Sequence, residues 1–186
     1  MEPQARQIVL DQLATSETTL LRLFDGISEA QWHFRESRDR WSIAENLEHL
    51  IALEAFLRTM IERVLDAPAQ PDKKSAALTK DPQILGLPTS RDMKLKAREV
   101  AQPQGRWSTP EAMIAEFRAT RAHTIAFAAH TEAPLHDHFF PHIAFGDLDC
   151  YQWLVVLAQH TLRHVAQIDQ IDQIDQIKAD PAYPTS

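Results

Sequence analysis

Two histidines, His160 and His164, sit four residues apart in the stretch Tyr151 to Ile168, Y-Q-W-L-V-V-L-A-Q-H-T-L-R-H-V-A-Q-I. At ~100° per residue, Trp153, Leu157, His160, His164, Gln167 and Ile171 fall on one side of a helix. That side faces a core. The two imidazoles lie about 6 Å apart along the helix axis and can reach one ion. Neutral imidazole nitrogen is a common ligand for Zn, Ni, Fe and other divalent metals. Three such ligands leave a coordination position open for water or substrate, the pattern of a catalytic site. An ion there lowers the pKa of a bound water or thiol and polarises a carbonyl. H-x-x-x-H alone is weak evidence, because the chain has 9 His. The alternative is a pair of polar core residues hydrogen-bonded to neighbouring helices.

A third ligand must come from another element. His49 lies near the start of a second helical pattern, on or at the edge of its apolar face. His123 lies off the stripe of its own helix. His136, His138 and His142 form a rival cluster in a loop, where H-x-H can bind metal adventitiously but more often lines a pocket mouth or faces solvent. His142 is the best candidate of these three. Glu45 could orient His49, but its place in a capping box already explains it. Glu54 falls within a buried stripe and needs a partner, for which Arg121 is a candidate; Arg121 could instead meet a substrate carboxylate. Gln167 could bond an imidazole or be an ordinary polar residue. Cys150, at a helix start, could have a lowered pKa, or be a small buried residue. Trp41 and Trp153 read as core anchors.

Four helices must position these groups. The first runs from Pro3 to about Ile27, with Val9, Leu13, Leu20, Phe24 and Ile27 on one face. A polar connection follows, with one short helical turn expected from Glu29. Ser42 and Glu45 form a capping box that opens the second helix, which runs to about Leu65. The third opens at Ser108-Thr109-Pro110-Glu111, either with Ser108 and Glu111 as a second capping box or with Thr109 as cap and Pro110 in first position. It ends near His130. Asp149, three before Gln152, caps the fourth. Its I-D-Q repeat from Ile168 to Gln176 has a period of three, so the apolar stripe spirals off the core face, as in a solvated, fraying helix end or an extension meeting a partner subunit. Asp66 to Gly105 is long and polar, and reads as a crossover with a short helix near Arg91 to Val100, or as a mobile lid. Pro134 to Asp149 reads as a loop. The expectation is an all-α four-helix bundle, one domain over residues 1–178, with a disordered tail over 179–186.

Composition narrows the function. The 186 residues suit one domain with a real core. The net charge of -7, with scattered Lys and Arg, argues against nucleic acid or an acidic membrane surface as partner. Only 4 Gly argue against phosphate-cradling loops. No apolar run reaches the ~20 residues needed to span a bilayer. A single cysteine excludes an intrachain disulfide and suits a reducing cytosol. Residues Met1 to Arg6 lack the pattern of a signal peptide. A cytoplasmic protein follows, and leftover apolar helix faces make a homodimer a reasonable expectation.

Three segments together carry a family resemblance: W-S-I-A-E-N-L-E-H-L at Trp41 to Leu50, P-H-I-A-F-G at Pro141 to Gly146, and W-L-V-V-L-A-Q-H-T-L-R-H-V-A-Q-I at Trp153 to Ile168. The chain resembles the DinB-like superfamily, in particular its DinB/YfiT-like metalloenzymes, from the first helix to about Ile171. The resemblance implies a four-helix bundle with up-down-down-up connectivity and a long crossover between the second and third helices. It implies a divalent metal ion (Zn, Ni, Fe or Mn) held by His49, His160 and His164. It implies a small-molecule substrate and an enzyme that transfers a low-molecular-weight thiol to an electrophile, or uses metal-bound water for hydrolysis. A non-catalytic metal- or ligand-binding stress-response protein is the alternative. The family's P-H-P-x-F-G-like segment reads P-H-I-A-F-G here, and the I-D-Q tail has no counterpart.

Overall fold

The computed structural model describes residues 1–86 and 97–179, with side chains through Asp169. The four long helices are α1 (Pro3–Arg22), α3 (Ile43–Leu65), α6 (Pro110–His130) and α7 (Cys150–Ala179). Short helices α2 (Glu29–His33), α4 (Lys74–Leu78) and α5 (Asp81–Leu85) fill the connections. α1 packs on α6 and α7, and α3 packs on the same two. The successive long helices α1 and α3 therefore sit across the bundle from one another, unlike a simple up-and-down meander.

Local chemistry explains where the helices start. Ser42 Oγ accepts from the Glu45 amide at 3.3 Å while Glu45 Oε2 accepts from the Ser42 amide at 2.9 Å. The reciprocal bonds satisfy two amides that the first turn leaves free. Asp149 and Gln152 make the same exchange at 2.7 and 3.1 Å and open α7. Thr109 caps α6 through the Ala112 amide at 3.2 Å with Pro110 following, so the Thr109–Pro110 alternative is the one adopted. Ser28 and Gln31 form a box for α2, the short turn expected from Glu29. α1 stops at Arg22, five residues short of the expected Ile27. Gly26, at φ 82°, turns the chain there, a left-handed conformation that glycine adopts without a Cβ penalty. Phe24 still packs, edge-on to Trp32 at 5.0 Å.

The apolar faces meet as the periodicity requires. Leu13, Leu20, Leu47, Ile61, Phe117 and Leu154 are buried, and each contributes on the order of 1.5–3 kcal/mol relative to exposure. One ion pair crosses this core. Arg121 donates from Nε and Nη2 to the Glu54 carboxylate at 2.8–3.1 Å, and it also reaches the Leu13 carbonyl, Ser16 Oγ and Thr161 Oγ1. Those bonds use every guanidinium donor, so Arg121 is the partner of Glu54 and has none left for a substrate carboxylate.

The segment from Pro134 to Asp149, expected to be a loop, carries a short hairpin beside the helical bundle. Strands β1 (Phe139–His142) and β2 (Gly146–Asp149) pair antiparallel, with Phe139 opposite Asp149 and His142 opposite Gly146. The strands are too short to show a period of two, and Phe139 and Phe140 are both buried. Pro141 is tolerated because a two-stranded ribbon is all edge. Gly146 takes φ 68° to close the turn. The hairpin is pinned to α7: the Phe140 and Trp153 rings stack at 4.3 Å, and Trp153 Nε1 donates to the Phe140 carbonyl at 3.1 Å.

The segment between α3 and α6 is not structureless. α5 packs on α7, and a 3-10 turn at Glu99–Ala101 packs on α3. Most of the helix expected from Arg91 to Val100 lies outside the described residues, as does the tail 180–186. The I-D-Q segment continues α7 as helix to Ala179. Among the described residues, no helix is long and apolar enough to cross a membrane.

Candidate metal centre

α3 and α7 lie side by side, and the capping box of α3 fixes the rotation of its first turns. His49, two turns in, then faces α7. His160 and His164 face back. One ring nitrogen from each of the three histidines lies within 4.8 Å of the other two. Ring centroids are 5.2 Å apart for His49–His160, 5.0 Å for His49–His164 and 4.6 Å for His160–His164. Among the described residues, this is the set of potential ligands that converges on one point.

Hydrogen bonds decide which nitrogens point inward. His49 Nδ1 lies 2.7 Å from the Ala101 carbonyl oxygen. A carbonyl only accepts, so Nδ1 carries the proton and Nε2 keeps its lone pair. His164 Nδ1 lies 2.7 Å from Asn46 Oδ1. Asn46 is itself oriented: its Nδ2 donates to the Ser42 carbonyl at 2.8 Å and the Trp41 carbonyl at 3.4 Å. Its Oδ1 therefore faces His164, which must donate from Nδ1 and present Nε2. Such outer partners fix the tautomer and raise the basicity of metal-binding histidines.

The surroundings keep all three rings neutral. Burial pushes the His49 pKa down, against the smaller opposing effect of its bond to Ala101. Burial pushes His160 down to about 3, helped by His49, Arg163 and His142. Burial holds His164 well below the ordinary histidine range, with His160, His49 and Arg163 adding to it. A neutral imidazole has a lone pair free for a metal at physiological pH. His49 and His164 are buried at 4% and 5% exposure, whereas His160 is half-buried, so the approach is from the His160 side. Trp41 covers another side, with its ring 4.9 Å from His49 and stacked on His164 at 6.4 Å. The residues fit a divalent ion with one position left over.

The other candidates are accounted for. His136 bonds the Asp149 carboxylate at 2.9 Å, and His138 lies 2.9 Å from the Val64 carbonyl oxygen. Each holds a local structure, and neither joins a cluster. His142 sits on β1 with its ring 5.2 Å from Trp153. His123 is exposed and Gln167 half-buried. Glu45 is held by its cap and by an ion pair with Arg35. Cys150 is buried, and burial together with the Asp149 charge pushes its thiol up to about 12, so the helix start does not activate it.

Three contributions were not visible in the sequence. Asn46 orients His164, the Ala101 carbonyl orients His49, and Trp41 covers the site rather than only anchoring a core. Asn46 had one local signal, being a poor helix former one turn before His49. Ala101 had none, because the contact joins residues 52 apart. Glu48 makes that contact possible. Its buried carboxylate accepts the backbone amides of Gln104, Gly105 and Arg106 at 2.8, 2.9 and 3.3 Å, and the Arg106 guanidinium at 3.1 Å. It ties the returning chain to α3 beside Ala101.

The family model of the DinB superfamily matches residues 12–168. The uncharacterized protein YuaE of Bacillus subtilis (strain 168) is 27% identical over 145 residues, spanning 77% of this chain and 84% of that protein. YfiT from Bacillus subtilis, described as a probable metal-dependent hydrolase with an unusual four-helix bundle topology, superposes with a TM-score of 0.57 at 10% identity, covering 95% of this chain and 90% of that one. At that identity the likeness is one of fold.

Proposed function

The chain belongs to the DinB superfamily, and on that premise we propose that it is a metal-dependent enzyme in which His49, His160 and His164 hold one divalent ion. The observation that carries the proposal is the convergence of three neutral imidazoles, two of them with the tautomer set by an outer partner. A bound ion of this kind lowers the pKa of a thiol or water and stabilises developing negative charge. The chain's own residues bind, orient and dry the site: Asn46 and Ala101 aim the ligands, Trp41 restricts water, and the half-exposed edge of His160 admits substrate.

The reaction favoured is transfer of a low-molecular-weight thiol to a small electrophile. The thiol loses its proton to solvent, its sulfur forms the new bond to the electrophilic carbon, and the leaving group departs with the bonding pair. In an addition, the neighbouring atom takes the proton instead. This needs little beyond deprotonation of the nucleophile. Hydrolysis also needs a positioned acid for the leaving group. The two acidic residues in the turn of α3 that precedes His49 are both committed, Glu45 to its cap and Glu48 to the backbone of Gln104 to Arg106. Hydrolysis is the second reading, favoured by the description of YfiT as a probable metal-dependent hydrolase.

The test is turnover by protein loaded with Zn, Ni, Fe or Mn, offered a panel of thiols with alkyl halide and epoxide electrophiles, and separately a panel of esters and amides. Thiol conjugation that disappears in His49→Ala supports the first reading. Ester or amide cleavage lost in the same variant replaces it with the second. Metal binding with neither reaction leaves a non-catalytic binding protein.

A further inference from the structure

Residues 97–106 bring the chain back to α3 as a strap, and little apolar surface holds it there. Ala101 is the one buried residue of the strap. Val100 beside it keeps 46% of its surface in solvent. A segment with so few buried apolar contacts belongs to the low-stability end of a protein, where local opening is easy. Docking of the strap therefore depends on polar bonds. Those bonds converge on two consecutive residues of α3, Glu48 and His49.

Glu48 makes one set. Its carboxylate, 2% exposed, accepts three successive backbone amides, Gln104 at 2.8 Å, Gly105 at 2.9 Å and Arg106 at 3.3 Å, and the Arg106 guanidinium at 3.1 Å. Successive amides aimed at one anion form a nest. Gly105, at φ 71°, supplies the left-handed step that turns them together. His49 makes the other bond, from Nδ1–H to the Ala101 carbonyl at 2.7 Å. The strap is thus latched by the neighbour of a metal ligand, and it carries the outer partner of that ligand. An acceptor held on Nδ1–H raises the basicity of Nε2. An ion on Nε2 in turn draws charge from the ring and makes Nδ1–H a stronger donor. By linkage, the factor that strap docking adds to ion affinity is the factor that the ion adds to strap docking.

We infer that Glu48 is a positioning residue of the metal centre that acts through the strap. It latches residues 97–106 onto α3, the latched strap holds the Ala101 carbonyl on His49, and strap closure and ion binding form one coupled equilibrium. The ion fixes the strap over the Nδ1 edge of His49, and the fixed strap tightens the ion. Glu48 itself touches neither ion nor substrate in this role. The inference rests on the metal reading above for the ion, and on the strap's own bonds for the latch.

The experiment measures residue-resolved amide hydrogen exchange of the full chain with and without saturating Zn(II), and Zn(II) affinity by competition with a chromophoric chelator. In the wild type, Zn(II) is expected to slow exchange of the Gln104, Gly105 and Arg106 amides about tenfold. Glu48→Gln should lose that slowing and bind Zn(II) about tenfold more weakly, while the amides of α6 exchange as in the wild type. Asn46→Ala, which acts on His164 instead, should bind weakly yet keep the slowing once saturated. Gly105→Ala strains the nest through its positive φ alone, since nothing lies within 4 Å of the added Cβ. It should show the same changes to a smaller degree, and it carries the test if Glu48→Gln does not fold. Zn(II) binding that leaves the strap amides unchanged, a folded latch variant with wild-type affinity, or loosening that spreads equally to α6 overturns the inference and leaves the metal reading standing. A wild type that binds no Zn(II) removes both.

Discussion

His164 donates from Nδ1 to Asn46 Oδ1 at 2.7 Å, across the interface between α7 and α3. The bond joins residues 118 apart in sequence. It converts the rotation of one capped helix into the direction of a lone pair on another. Asn46 can play this part only because two carbonyls, those of Ser42 and Trp41, hold its amide the right way round.

Removing that orienter should weaken the centre without abolishing it. Asn46→Ala is expected to lower metal affinity about 10–100-fold, the usual effect of losing an outer partner of a ligand histidine. Competition against a chromophoric chelator reads it, with circular dichroism confirming an unchanged helix content. Unchanged affinity would mean that Asn46 serves only the first turn of α3.

Trp41 should report the ion directly. Its ring is 4.9 Å from His49 and 6.4 Å from His164. Titration with Co(II) or Ni(II) is expected to quench tryptophan fluorescence, saturating at about one equivalent per chain, and Trp41→Phe should remove most of the quench. Quenching of equal depth in Trp41→Phe would place the ion elsewhere.

The metal-free protein should lose stability as pH falls below the ordinary histidine range. His49, His142, His160 and His164 all have folded pKa values lowered by burial, His142 to about 4 and His160 to about 3. Below pH ~6.5 the unfolded chain binds protons at these sites and the folded chain does not, so stability rises with pH across that window and falls on acidification. Each such group contributes at most about 1.4 kcal/mol per pH unit between its two pKa values. Denaturant midpoints of apo protein measured from pH 7.5 to 4.5 should decline, and less steeply in His164→Leu. A flat profile would mean that these rings titrate normally in the folded state.

The Arg121–Glu54 pair should matter to the scaffold. Both side chains are almost fully buried, and Arg121 reaches Thr161, the residue after His160. Glu54→Ala strands the guanidinium and is expected to cost about 3–5 kcal/mol of unfolding free energy. Urea denaturation measures it. A loss under 1 kcal/mol would show that water replaces the carboxylate at little cost.

The legible part of this molecule was local. Capping boxes at Ser42 and Asp149, the apolar stripes they start, and the placing of His49, His160 and His164 on inward faces all follow from spacing within a few turns. The convergence of those three is a tertiary fact, and spacing alone is equally compatible with hydrogen-bonded core histidines. The hairpin was missed because four-residue strands carry no period. The orienting contacts of Asn46 and Ala101 were missed because hydrogen bonds between distant segments leave no pattern in sequence. The long segment between α3 and α6 looked featureless because its anchors, the Glu48 carboxylate and the α5–α7 contact, lie in other elements.

The central claim is that His49, His160 and His164 bind one divalent ion. Its most direct test is metal content by inductively coupled plasma mass spectrometry, on protein reconstituted with Zn, Ni, Fe or Mn and freed of excess by gel filtration. The account predicts about one ion per chain in the wild type and a small fraction of that in His160→Ala and His164→Ala. A wild type that retains no stoichiometric ion, or a His160→Ala variant that retains as much as the wild type, would contradict it.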